Sequence, residues 1–181
     1  MRAERRAQIV DAFARVLAEH GYAGATVAAV AAEAGVSPGL VHHHFADKAD
    51  LLAMLLEDLV GRFRRRARSL EEKTDPLSAY ADAAVALGAS ADVVAARCWV
   101  GVLAEAVRDP TLFAQVRRLL DTELETIRRR SGDRLSSQDA GAVLAFILGA
   151  LVLGAFAPRK TAGFAAPALR RLLVPSAGRV G

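Results

Sequence analysis

Along most of this chain apolar residues return every three or four positions, and no stretch alternates apolar with polar residues over the length of a strand. That periodicity predicts helices throughout. Over 3–20 the apolar stripe is Ile9, Phe13, Val16 and Leu17, and Gly21 ends it. Thr26 then opens a shorter pattern with Val27, Val30, Ala31 and Ala34 at helical spacing, and its hydroxyl can accept a first-turn backbone N–H. Gly35 closes that pattern by taking the left-handed conformation a helix end needs, and Val36 can pack back on it. Ser37 as cap and Pro38 at the first helical position restart the chain, because proline has no N–H to leave orphaned there. The helix they open is about seven residues long. It sends Val41 and Phe45 inward and leaves Gly39, Leu40, His42 and His43 facing elsewhere.

Two short helices across a tight turn, backed by a longer one, have the shape of a helix-turn-helix. A seven-residue helix does not hold itself together in water, so it needs an external reason to exist. Insertion into the DNA major groove supplies one, with the second helix reaching base edges and the first crossing the backbone. Asp47 next caps a long helix whose stripe runs through Leu51, Leu52, Leu55, Leu56, Leu59 and Phe63, a mechanical link to whatever follows. Asp75 and Pro76 start a further helix to about Leu87, and others are expected at 91–108, 111–130, 137–157 and 162–173. The expected fold is all-α with about nine helices. Its division is an N-terminal three-helix helix-turn-helix domain over 1–46 and a larger helical domain over 47–181.

Composition changes this picture little. The chain has 181 residues, 53% of them apolar and 24% charged, which is the profile of a soluble globular protein. A net charge of +4 favours a polyanionic partner. The arginines are spread out, and the Arg64 to Arg66 and Arg128 to Arg130 runs sit at helix C-termini, where cations are favoured anyway. They read as solvated helix ends. Cys98 is the single cysteine, so no internal disulfide is expected, and the opening MRAERRAQIV lacks the apolar region of a signal peptide. Both point to the cytoplasm.

The stretch from Gly21 to Leu52, GYAGATVAAVAAEAGVSPGLVHHHFADKADLL, resembles the DNA-binding segment of TetR-family (tetracycline-repressor-type) regulators. The resemblance rests on Thr26, Gly35, Val36, Ser37, Gly39, His44, Phe45 and Lys48. It implies that Thr26, His42 and Lys48 hold phosphates while Ser37, Pro38, Gly39, Leu40 and His43 face the groove. Leu40 could meet a thymine methyl, and His43 could donate to a guanine or phosphate acceptor. One departure stands out: His42 occupies the place of a phosphate-contacting tyrosine, so that contact would pass to an imidazole N–H. Lysine occurs only at 48, 73 and 160, which gives Lys48 at a helix start added weight.

Further along, CWVGVLAEAVRDP, from Cys98 to Pro110, resembles the C-terminal domain of the choline-responsive Bet-type branch of that family. The resemblance implies a ligand-binding and dimerisation domain, with pairing through the helices at 140–157 and 162–173. It also implies a palindromic double-stranded operator and a small-molecule effector of unknown identity, with the chain acting as a repressor. Tyr80, Trp99, Phe113 and Cys98 could line a ligand cavity, with Glu105 or Arg97 supplying polarity, although aromatic residues at helical spacing also serve as plain core. Only 6% of the chain is aromatic, which argues against an aromatic cage for a quaternary ammonium.

Rival classes leave weaker traces. His42, His43 and His44 are consecutive, so on a helix they point roughly 100° apart and cannot all chelate one ion; neither metal nor other cofactor is expected. There is no nucleophile elbow, no Walker loop and no paired metal-ligand motif, so no enzyme is expected. The uncharged run AGAVLAFILGALVLGAFA, from Ala140 to Ala157, is at the lower length limit for a membrane span, and a small membrane-associated or enzymatic helical protein is the alternative reading. Its glycines, its isolation and the amphipathic tail after it favour a buried helix or an oligomer seam instead.

Overall fold

The computed structural model describes residues 2–85 and 93–173. They form nine helices and no strand: α1 (Arg2–Gly24), α2 (Val27–Ala34), α3 (Pro38–His44), α4 (Lys48–Glu71), α5 (Pro76–Val85), α6 (Val93–Ala106), α7 (Pro110–Arg130), α8 (Ser137–Phe156) and α9 (Pro158–Leu173). The expected ends of the fifth helix at 87 and the start of the sixth at 91 lie outside the described residues. α9 begins four residues earlier than the apolar pattern suggested. Pro158 does not merely end α8; it serves as the first residue of α9, where its missing N–H costs nothing.

Packing divides the chain into two compact units, the first made of Met1–Arg62 and Val94–Phe113 and the second of Phe63–Val93 and Ala114–Gly181. In the first, α1 buries Ile9, Phe13, Val16 and Leu17, the stripe its sequence carried. Gly21 breaks that helix at φ 70°, and a short turn runs on to Gly24. α1 packs on α2, and α2 on α3. Val30, Val41, Phe45, Leu51, Leu52 and Leu55 are buried in the same unit. α6 joins this unit as well: the Cys98 thiol donates to the Ala14 carbonyl at 3.2 Å, and Gly101 lies under Leu17.

The second unit is built around α5, α8 and α9, which pack on one another, with the C-terminal parts of α4 and α7 contributing Phe63, Leu120, Leu124 and Ile127. Ile127, Ala140, Ala165 and Leu169 have no exposed surface, and burying such an isoleucine or leucine contributes about 1.5–3 kcal/mol each. A charged clasp joins α5 to α9: the single Nε–H of Arg170 is shared between the two oxygens of the buried Asp82 carboxylate, at 2.9 and 3.1 Å, and Nη2 donates to the same carboxylate. α8 starts at a reciprocal cap in which the Asp139 N–H donates to Ser136 Oγ and the Ser136 N–H donates to the Asp139 carboxylate. By length and composition α8 could cross a membrane, with a mean hydropathy of 2.1 over its best window.

Candidate nucleic-acid interface and ligand cleft

Local hydrogen bonds set the geometry of the helix-turn-helix. The Thr26 hydroxyl accepts from the Ala29 N–H at 3.1 Å and so closes the first turn of α2. At the other end Gly35 takes φ 64°, its N–H donates to Ala32, and the Val36 N–H donates to Ala31 at 2.9 Å. These two crossed bonds satisfy the last carbonyls of α2 and turn the chain sharply. Ser37 Oγ then accepts from the Leu40 N–H at 3.2 Å, and Pro38 occupies the first helical position of α3. The turn is fixed within a few residues.

α3 is held from behind by α1. The Gln8 amide donates to the Ala34 carbonyl at 2.8 Å and the Arg6 guanidinium donates to the His44 carbonyl at 2.8 Å, so α1 caps the C-termini of both α2 and α3. Arg6 also lies 4.6 Å from the centre of the Phe45 ring. Periodicity revealed Phe45, but nothing in the sequence marked Arg6 or Gln8 as positioning residues. They stand on the polar side of a helix, and only the fold shows what they reach.

With Val41, His44 and Phe45 buried, the opposite side of α3 is open. Ser37, Pro38, Gly39, His42 and His43 are exposed and Leu40 is half-buried; Thr26, at the start of α2, is exposed as well. Lys48 behaves differently. Its ammonium donates to the Tyr22 carbonyl at 2.7 Å and sits 4.0 Å from the centre of the Tyr22 ring. An ammonium has three N–H donors, so this seat leaves hydrogens for a phosphate. The Tyr22 hydroxyl is held in its neutral form by partial burial first, then by the nearby Asp109, Glu105 and Asp47 carboxylates, the first two contributed by the end of α6 and the residues after it.

His44 is buried apart from 8% of its surface, its Nδ1 finds no partner among the described residues, and its ring meets that of His43 edge-on at 5.2 Å. Burial, His43 and the arginines Arg2, Arg6 and Arg5 all hold its pKa below the usual histidine value. Among the described residues no group of three His, Cys, Asp or Glu side chains could hold a metal ion.

The second unit contains a cleft of about 290 Å³ lined by α4, α5 and α7. Tyr80 from α5 forms its floor, with the Phe63 ring near-perpendicular to it at 5.0 Å and the Arg130 guanidinium over the phenol at 5.5 Å. The Tyr80 hydroxyl donates to the Glu123 carboxylate, and burial above all, with that carboxylate second, pushes its pKa well above the usual phenol value. Of the three aromatic residues expected at a cavity, Tyr80 lines this one. Trp99 and Phe113 belong to the other unit, where Trp99 is half-buried and Phe113 is 52% exposed.

A capped two-helix turn with a short, exposed second helix, attached to a helical unit with a cleft, defines a DNA-binding regulator. Comparisons bear this out. The chain matches the family of bacterial regulatory proteins, tetR family, over residues 9–55. It is 30% identical over 164 residues to the HTH-type transcriptional regulator BetI of Escherichia coli, covering 86% of this chain and 84% of that protein, and the same holds for BetI of Shigella flexneri. A transcriptional regulator from Rhodococcus sp. Rha1 superposes with a TM-score of 0.78 at 26% identity over 93% of both chains. The same fold is seen in a TetR transcription regulator from Haloarcula marismortui, with a TM-score of 0.79 at 19% identity, covering 94% of this chain and 97% of that one. The chain belongs to the TetR family of transcriptional regulators, and its C-terminal region is of the Bet type.

Proposed function

We propose that this protein is a homodimeric repressor that works in the cytoplasm and is released from a palindromic operator by a small molecule. In this reading residues 1–46 read the DNA and 47–181 bind the effector and pair the protomers. The observation that carries it is the open face of α3, where Ser37, Pro38, Gly39, His42 and His43 are exposed on a helix otherwise sealed into the interior. Gly39 lets the backbone approach DNA closely, Leu40 offers an apolar contact to a thymine methyl, and His43 offers a donor to a base edge. Thr26, His42 and Lys48 hold the phosphates that set the register. All of this is binding chemistry and none of it is catalysis.

Pairing is supported by the outer face of α8. Ala142, Ala145, Gly149, Val152, Leu153 and Phe156 are exposed on it, and Phe164 of α9 is 46% exposed. A second copy covering that face removes its apolar surface from water at roughly 25 cal/mol per Å². The same burial accounts for the hydropathy of α8 without a membrane. Each dimer then meets two half-sites together, which constrains the separation of the two copies of α3 to about one helical turn of DNA or a multiple of it.

Release follows from chain continuity. α4 and α7 each begin in the first compact unit and end in the second, and the parts in the second line the cleft. α6, although part of the effector-binding half by sequence, packs on α1 and brings Glu105 close to the Tyr22 that seats Lys48. An effector that prefers the cleft in one arrangement of these helices lowers operator affinity by its differential binding to the two states. The test is fluorescence anisotropy with the DNA upstream of the protein's own gene, titrated with salt. Tight binding that weakens steeply with salt is expected, and absent or salt-insensitive binding would overturn the reading.

A further inference from the structure

The walls of the cleft narrow the chemistry of the effector. Four guanidinium groups, Arg64, Arg68, Arg129 and Arg130, line it against one carboxylate, Glu123. That carboxylate is already engaged: it accepts from the Tyr80 hydroxyl and lies 3.7 Å from Arg64. Arg130 is paired with Glu71. Arg68 and Arg129 make no ion pair among the described residues, and Arg129 only donates to Thr126 Oγ1 at 3.3 Å. Two positive charges therefore stand uncompensated over a floor made by Phe63 and Tyr80.

A cationic effector would find nothing to hold it there. Recognition of a quaternary ammonium needs an aromatic face or a free carboxylate. The Tyr80 ring already carries the protein's own cation, Arg130, at 5.5 Å, and it packs near-perpendicular to the Phe63 ring at 5.0 Å. The single carboxylate of the lining is used by the phenol and by Arg64. A carboxylate or phosphate, in contrast, meets two guanidinium groups that can each give paired, charge-assisted hydrogen bonds.

Building on the effector-binding reading above, we infer that the cleft takes a small amphipathic anion. Its anionic group sits at Arg68 and Arg129, and its apolar part lies on Phe63 and Tyr80. This separates the protein from an effector chemistry of the choline type. It also gives a role to two arginines whose sequence context shows only helix-end charge.

The experiment is isothermal titration of the full-length protein with three probes, octanoate, octan-1-ol and choline, alongside operator anisotropy with each. Octanoate is expected to bind most tightly, and the R68A/R129A double variant is expected to lose about tenfold or more of that affinity. Operator binding by the variant, unchanged from that of the parent chain, shows that it is folded. Choline binding more tightly than octanoate, octan-1-ol matching octanoate, or a double variant that retains octanoate affinity would each overturn the anion assignment. The two readings fail separately. If choline alone releases the operator, the repressor stands and the anion does not. If octanoate binds in an arginine-dependent way while no operator is bound, the anion site stands and the repressor does not.

Discussion

Helices α3 and α8 each seal one face into an apolar interior, and what each leaves on its other face differs in kind. On α3 the free side carries Ser37, Pro38, Gly39, His42 and His43, small residues and ring N–H groups over two turns. On α8 it carries Ala142, Ala145, Gly149, Val152, Leu153 and Phe156, with no hydrogen-bonding side chain among them. A groove lined with phosphates and base edges satisfies the first face and would strand the second. A second copy of the same apolar face does the reverse. The buried halves of the two helices are interchangeable in kind, so it is the outer faces that tell the two helices apart.

The largest effect is expected from breaking the α8 side. A side chain added at Gly149 meets nothing within 4 Å in the folded chain, so Gly149→Arg places a charge on the outer face without disturbing the interior. Light scattering after size-exclusion chromatography is expected to show a monomer, and operator affinity should fall by about 100-fold as the second half-site contact becomes intermolecular. A G149R protein that stays dimeric would remove α8 from the pairing surface. The α3 side is probed by Leu40→Ala and His43→Ala. Each is expected to cut the preference for operator over scrambled DNA by about tenfold while leaving weak non-specific binding in place. An unchanged preference would show that these side chains do not face the bases.

The same contrast decides what could be read in the sequence. The turn between α2 and α3 was legible down to individual atoms because its determinants are local: Thr26 and Ser37 cap within three residues, Gly35 admits the left-handed conformation the turn requires, and Pro38 fixes φ at the first helical position. The cleft was not. Its arginines read as solvated ends of two separate helices, since periodicity along α4 or α7 cannot show that the two bring Arg68 and Arg129 to the lining of one cleft. Aromatic residues failed as markers for the same reason. Tyr80, Trp99 and Phe113 look alike in sequence, yet only Tyr80 reaches the cleft, and the others pack in a different unit. Lys48 is intermediate: its place at a helix start was visible, but its seat on Tyr22, 26 residues back, was not.

That seat makes Lys48 the residue at which positioning and DNA contact can be told apart. If its remaining donors meet a phosphate, Lys48→Met should lower the slope of log affinity against log salt by about one. Operator affinity should drop a few-fold at the same time. A slope that stays put while the melting temperature falls would make Lys48 a brace for Tyr22 and nothing more.

The smallest effect expected concerns His44, and its sign is fixed by the surroundings of the ring. Its pKa in the folded chain is held below the ordinary value of 6.5 by burial, by His43 and by Arg2, Arg6 and Arg5. As the pH falls below 6.5, the unfolded chain therefore takes up a proton that the folded chain resists. Stability present above that value is lost progressively down to the depressed folded pKa, and the loss then levels off. His44→Gln removes the titration and leaves the backbone carbonyl that accepts from Arg6. Urea unfolding at about pH 7.5 and about pH 5.5 should show the parent chain losing more stability than the variant over that interval. Equal losses would mean that protonation of His44 is tolerated in the folded state. A larger loss in the variant would mean that the ring is stabilised, rather than strained, by its proton. Because the ring lies behind the open face of α3, protonation of His44 itself should reach operator binding through the folded fraction alone, so the parent chain and H44Q should share one salt slope at each pH.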